Sequence, residues 1–239
     1  MPTVSSAELR QADRDAREVF GIGAIQLMEV AGWQVARVVD AILGGVSGKQ
    51  VMVVAGSGNN GGDALAAARF LHQRGARVRA SIVVARDPAS LVAQHARTIR
   101  RLGVQIDEAP RGIDNASDVT VDGLFGTGIK PPLRSPAPEI IGAMNASGQP
   151  IVAVDVPSGM DADTGAGSEQ AVRAVATVTL AAPKAGLMGV VHAGRLFLAD
   201  IGMPTALFST AAPSLARVYR TGDLVELIPP KVDEMGQRD

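Results

Sequence analysis

Apolar and polar positions in the first part of the chain follow a helical period. Ser5 and Glu8 form the pattern of a capping box, where a hydroxyl and a carboxylate three apart satisfy free amides at a helix start. Leu9, Ala12, Ala16 and Val19 follow at helical spacing, and Gly21 and Gly23 then break that helix. Leu27, Val30, Ala31, Val35, Val38, Ile42 and Leu43 predict a second helix over 24–43, ended by Gly44-Gly45. After residue 50 the pattern changes. Short β-branched runs predict strands at 50–55, 78–84, 119–124, 151–154, 176–180 and 196–198. Helical stretches at about 61–74, 88–102 and 137–147 lie between them. This alternation implies right-handed crossovers and a mostly parallel sheet. The strands are near-continuous apolar runs, which suits a sheet covered on both faces. The expectation is an α/β fold with a helical addition at its N-terminus. The domain is expected over 1–222, with 223–239 a polar tail or truncated linker carrying a Pro pair.

Composition narrows the function. The chain has 239 residues, which suits one large domain or two small ones. Lys+Arg total 23 and Asp+Glu 24, a net charge of −1 that argues against a broadly basic nucleic-acid binder. Cysteine is absent, which excludes disulfides, zinc-thiolate sites and cysteine nucleophiles. No apolar run reaches the ~18–20 residues of a membrane span. The charged start is unlike a secretory signal, so the expected location is cytoplasmic.

Three polar loops follow predicted strands. In GSGNNGGDALAAARFL, residues 56–71, Gly56, Gly58 and Gly61 match G-x-G-x-x-G between a strand and a helix. A dinucleotide fingerprint also wants an acid ~20 positions on, but Asp87 is displaced and follows Arg86. Asn59, Asn60 and Asp63 supply more polar apparatus than a phosphate cradle needs; the plainer reading makes Asp63 a helix cap. In DGLFGTGIKPPLR, residues 122–134, Asp122 ends a strand and Gly126 and Gly128 flank Thr127. In DVPSGMDADTG, residues 155–165, Asp155 follows the apolar run IVAV, and Ser158-Gly159 make a tight turn. Turn or strand-exit roles suffice for each acid taken alone. Together, the loops leave the carboxyl edge of the sheet, where open α/β sheets bind ligands. Asn60, Asp63, Asp122, Asp155 and Ser158 form an oxygen-rich set without His or Cys, suited to hard cations and to acid–base chemistry. His72 and His95 lie in surface-like helical patterns, His192 lies in a loop, and none is assigned a catalytic role. Lys184 contacts phosphate or holds its loop. Met28 is expected in the core, Trp33 to be buried or interfacial, and Arg100 and Arg101 to form a solvated helix end.

The ordered set of segments resembles the NAD(P)H-hydrate epimerases, the YjeF N-terminal domain family. It comprises IQLMEVAG at 25–32, GSGNNGGDALAAARFL at 56–71, DGLFGTG at 122–128, IVAVDVPSGMDADTG at 151–165, ATVTLAAPKAGLM at 176–188 and ADIGMP at 199–204. The resemblance implies a three-layer α/β/α Rossmann-like fold, a homodimer, and interconversion of the R and S forms of hydrated NADH and NADPH (NADHX and NADPHX). An ATP- or ADP-dependent dehydratase, in some relatives a fused domain, then consumes the S epimer. By position, Asn59, Asn60, Gly61, Gly62 and Asp63 would bind substrate, as would Gly126, Thr127, Gly128, Ile129, Lys130, Pro131 and Pro132. Asn60, Asp122 and Ser158 would hold one potassium ion per subunit. Asp155 would contact the reacting ring and carry catalysis. Two departures stand out: Ala64 replaces a common Gly, and IKPPLRSP after GTG is weakly family-like.

Hydroxyl loss assisted by the ring nitrogen, with water readdition on the other face, is one chemical route. Reversible ring opening is a second. Either needs a group that gives and takes a proton, here Asp155, with a raised pKa from burial or from Asp122. The rival readings are a non-catalytic binding or scaffold module on the same fold and a nicotinamide oxidoreductase. The intact site residues weigh against the first, and the missing acid against the second.

Overall fold

The computed structural model describes residues 1–83, 87–108 and 116–228. The chain opens with α1 (Ser6–Glu18) and α2 (Ala24–Leu43). The Ser5–Glu8 capping box forms in both directions, and Gly44, at φ 63°, ends α2 in the left-handed conformation. The α/β part then runs β1 (Gln50–Ala55), α3 (Asn59–Gln73), β2 (Arg77–Ile82), α4 (Leu91–Arg101) and β3 (Gln105–Asp107). It continues through β4 (Val119–Gly123), α5 (Ala137–Ala146), β5 (Ile151–Val154), β6 (Ala176–Leu180) and β7 (Arg195–Ala199). It closes with α6 (Ala212–Tyr219) and β8 (Leu224–Leu227).

The strand order is β3-β2-β1-β4-β5-β6-β7-β8. The pairs from β3 through β7 are parallel, and β8 joins β7 antiparallel. Strands β4, β5 and β6 are buried along their whole length, as their unbroken apolar runs predict for a sheet covered on both faces. Here α2 and α3 supply one layer, with Val35, Val39, Leu65 and Leu71 against Val53, Val121 and Val154. On the other face, Ile140, Ile141 and Met144 of α5 pack against Met52, Val54 and Ala153. This is the three-layer α/β/α architecture expected of the sequence. The order reverses direction between β1 and β4, and such a switch point is where doubly wound sheets open a crevice.

Several expectations change. Asn59 and Asn60 lie inside the first turn of α3, which starts two residues before the predicted helix. Its N-cap is Gly58, so Asp63 caps nothing. Strands β3 and β8 and helix α6 were not expected; β3 is three residues long and α6 eight, too short for a clear period. The expected tail from 223 begins instead with β8, whose half-buried residues are held by pairing to β7. Val84, the end of the predicted second strand, lies outside the described residues, as do Arg86 and 229–239. His95 is not on a surface: it faces inward with Val92, Ala96 and Ile99 and is 4% exposed. Trp33 is 37% exposed, with Arg74 stacked 4.2 Å above its ring.

Candidate active site

At the β1/β4 switch a cleft of about 530 Å³ opens between the strand ends, α1, α2 and the start of α3. Close approach of backbone segments shapes it. A Cβ on Gly61 would lie 1.9 Å from the Gly56 carbonyl oxygen, and one on Gly123 2.3 Å from Ala64 Cβ. Glycine at 123 therefore makes the room that Ala64 occupies. Gly126 faces the cleft's polar centre: its Cβ would come 3.2 Å from Asn60 Oδ1 and 3.3 Å from Asp155 Oδ2.

Asp155 leaves β5 at φ 66°, a left-handed conformation uncommon outside glycine. Its amide donates to the Val178 carbonyl (2.8 Å), and Oδ1 accepts from the Leu180 amide (3.1 Å). Oδ1 also forms an ion pair with Lys184 Nζ. Lys184 is 1% exposed and donates further to Thr179 Oγ1 (3.0 Å) and the Leu180 carbonyl (2.8 Å). Every donor of the ammonium is thus used inside the protein. Lys184 holds Asp155 rather than phosphate, and Oδ2 is left toward the cleft.

Two further carboxyls face this pair. Burial, joined by the charges of Asp155 and Asp13, raises Asp63 well above the usual carboxylate range against the pull of Lys184. No hydrogen bond to its side chain forms among the described residues. Asp13, from α1, keeps an exposed side chain at the cleft rim; partial desolvation there and then the charge of Asp155 raise its carboxyl, with Lys184 and Arg17 opposing. It was not anticipated; nothing in the α1 pattern separates it from the other polar positions, and only docking of α1 brings it here.

Asp122 lies under the cleft floor and is fully buried. Its carboxylate accepts from the Ser158 amide (2.8 Å), the Ser158 hydroxyl (2.6 Å) and the Leu124 amide (3.2 Å). Burial pushes it up to about 6 despite these bonds, which favour the charged form. The Phe125 amide donates to Ser158 Oγ (2.8 Å), and Asn60 Nδ2 donates to the Phe125 carbonyl (2.8 Å). Asn60, Asp122 and Ser158 are therefore brought together around the Leu124–Phe125 backbone. Among the described residues, no group of three or more His, Cys, Asp or Glu side chains is arranged to hold a metal. Any cation here would meet neutral oxygens and one carboxylate.

Asn59, Asn60, Asp63, Gly126, Thr127, Gly128, Ile129 and Asp155 line the cleft, whereas Gly61, Gly62, Lys130, Pro131 and Pro132 do not. Gly62 is instead pressed against Met28 and Gly167 against Pro131, while the Lys130 charge acts on Asp161. Asp87 accepts from the Ala89 amide in the turn before α4, so it has a local partner and lies away from the cleft.

The family model described as YjeF-related protein N-terminus matches residues 24–186. A bifunctional NAD(P)H-hydrate repair enzyme of Thermofilum pendens is 36% identical over 98% of this chain and 45% of its own length. An NAD(P)H-hydrate epimerase of Rhodopirellula baltica is 34% identical over 87% of each chain. The crystal structure of yeast ynu0, YNL200c, superimposes with a TM-score of 0.79 at 26% identity, covering 95% of this chain and 100% of that one. The chain spans about half the length of the bifunctional relatives it matches. With the fold, the cleft and these matches in agreement, the chain belongs to the YjeF N-terminal family, together with the NAD(P)H-hydrate epimerases.

Proposed function

We propose that this chain interconverts the R and S epimers of hydrated NADH and NADPH in nicotinamide nucleotide repair. The observation that carries the reading is the cleft at the β1/β4 switch, where Asp155 with its buried Lys184 partner faces Asp63. The reaction needs a proton donor and a proton acceptor on one small centre, and two carboxyls in different surroundings, Asp63 without a hydrogen-bond partner among the described residues and Asp155 paired with Lys184, divide those tasks. Asp63, raised by burial, gives a proton to the hydroxyl of the hydrated ring. Water leaves as the ring nitrogen donates its lone pair. Readdition of water on the other face yields the opposite epimer and gives a proton to Asp155, from which it passes back to Asp63 to restore the starting state. This assignment modifies the expectation that Asp155 alone gives and takes the proton. Its close partner is Lys184, and Asp122 is engaged with Ser158.

The residues around Phe125 suit a potassium ion in donor type. Asn60 Oδ1 accepts no hydrogen bond among the described residues, and Asp122 uses three of its roughly four acceptor sites. Asn60, Asp122 and Ser158, with the Phe125 carbonyl, would hold the ion, which supplies electrostatic ordering of the substrate loops without redox chemistry. Turnover equal in potassium and in tetramethylammonium buffers would remove the ion from the proposal. Homodimerisation, cytoplasmic location and delivery of the S epimer to a dehydratase belong to the same reading. Light scattering on the purified chain tests the dimer. Among the described residues no helix is long and apolar enough to cross a membrane.

The direct test mixes R-form NADPHX, an S-specific dehydratase and ATP with or without this chain. Faster return of NADPH absorbance than the spontaneous rate supports the epimerase. A spontaneous rate with folded chain favours the binding module. Asp155→Asn should lower the catalysed rate by about 10²–10⁴.

A further inference from the structure

The cleft wall on α1 carries a cationic face that the chemistry above does not use. Four cationic side chains line the cleft among the described residues: Arg10, Arg14, Arg17 and Lys184. Lys184 is committed to Asp155, Thr179 and Leu180. The other three sit on consecutive turns of one helix. At about 100° per residue they fall within roughly 60° of arc, and Glu8 and Asp15 fall on the opposite side. Arg10 has no hydrogen-bond or ion-pair partner among the described residues. Arg14 bonds only Gln11, and Arg17 pairs with Glu18 where both are more than half exposed (63% and 61%), a weak surface pair that a ligand displaces readily. Asp13 borders this sector and is coupled electrostatically to Asp155. The helix therefore places its carboxyl toward the reacting centre and its guanidiniums along the same wall.

We propose that Arg10, Arg14 and Arg17 form the phosphate-binding subsite for the dinucleotide substrate. Guanidinium groups match phosphate geometry by paired N–H donors, and among the described residues the cleft wall offers a pyrophosphate no other unengaged cation. The inference rests on the epimerase reading for the identity of the ligand. Its geometry also requires α1, which lies outside the residues 24–186 matched by the family model.

The test uses Arg10→Gln, Arg14→Gln and Arg17→Gln singly and combined, with Glu8→Gln as a control on the far side of the helix. Two readouts run in parallel: KM and kcat for NADHX and NADPHX, and calorimetric titration with NADP⁺, which needs no turnover. The triple variant should raise KM and the NADP⁺ Kd by about 10- to 100-fold, as expected for lost charge-assisted bonds, with kcat little changed. The salt dependence of KM should flatten. A loss confined to NADPHX assigns the face to the 2′-phosphate; an equal loss on NADHX assigns it to the pyrophosphate. Unchanged KM and Kd in the triple variant would overturn the subsite. If the wild-type chain binds NADP⁺ without turnover, the epimerase reading fails and the titration alone decides the arginine face. The single variants keep the test open should the triple variant unfold, since each side chain is exposed.

Discussion

Asp155 illustrates what a single residue carries in this protein. Its left-handed backbone would strain most side chains, and it persists because its amide donates to the Val178 carbonyl, its carboxylate accepts from the Leu180 amide and Lys184 forms an ion pair with it. Lys184→Met removes the countercharge from a mostly buried carboxylate. Loss of one partner of a buried pair costs about 3–5 kcal/mol, and the lower end applies because Asp155 still opens to the cleft. Denaturant unfolding should report that loss along with a fall in turnover. Asp63 yields a pH prediction of opposite sense to the usual carboxylate. Its folded-state pKa lies above the unfolded value, so the native state holds the proton more tightly. The associated stability is fully present below the ordinary Asp range and is lost as pH rises through the folded-state value. Burial and the charges of Asp155 and Asp13 produce the shift, and Lys184 opposes it. Asp63→Asn should therefore gain in melting temperature over the wild type as pH is raised, with the difference shrinking toward pH ~4. A constant difference across pH would contradict this.

At the scale of elements, close backbone contact decides the shape of the site. The turn after β1, the first turn of α3 and the end of β4 meet where Gly56, Gly61 and Gly123 leave no room for side chains. Gly61→Ala would set a methyl against the Gly56 carbonyl, a backbone atom that cannot swing away. Overpacking of about 1–3 kcal/mol is the minimum expected, and displacement of Asn60 should reduce turnover more than stability. The crossing of α2 over α3 depends on Gly32 in the same way, since its Cβ would lie 2.5 Å from Ala66 Cβ. Gly32→Ala should lower the melting temperature while leaving the cleft side chains in place, because the contact lies on the core side of both helices. Comparison of kcat with thermal midpoint for the two variants separates these outcomes.

For the whole molecule, the sheet's last strand ties the end of the described chain to its beginning. Strand β8 covers the edge of β7, and Asp223 just before it accepts from Gln34 Nε2 (3.2 Å) and Arg37 Nη1 (2.8 Å) on α2. Truncation after residue 222 should therefore lower the melting temperature and promote association, because it bares a paired strand edge and strips partners from the buried Gln34. A truncated chain that melts with the full one would restore 223 as a tail boundary.

Much of this architecture was legible in the sequence because its signals are local. Capping residues, the periodicity of α2 and the apolar runs of β1, β5 and β6 act within a few residues, and they predict those elements with little error at their ends. The order of polar loops likewise placed Asn60, Asp63, Asp122, Asp155 and Ser158 at one sheet edge. The remainder depended on contacts far apart in the chain. Strand β8 exists through its pairing with β7, and His95 is buried because α4 turns that face to the core. Asp155 and Lys184 are separated by 29 positions and meet only when the ends of β5 and β6 lie side by side. Likewise, α1 carries no mark of a cleft wall until it docks across the switch point. The sequence by itself determined the elements, the alternating fold class and the chemical character of the loops, since these follow from local propensity and pattern. Only the tertiary structure decided the partner of each charge and the acidity of each carboxyl, because desolvation and charge pairing are set by the neighbours that folding supplies.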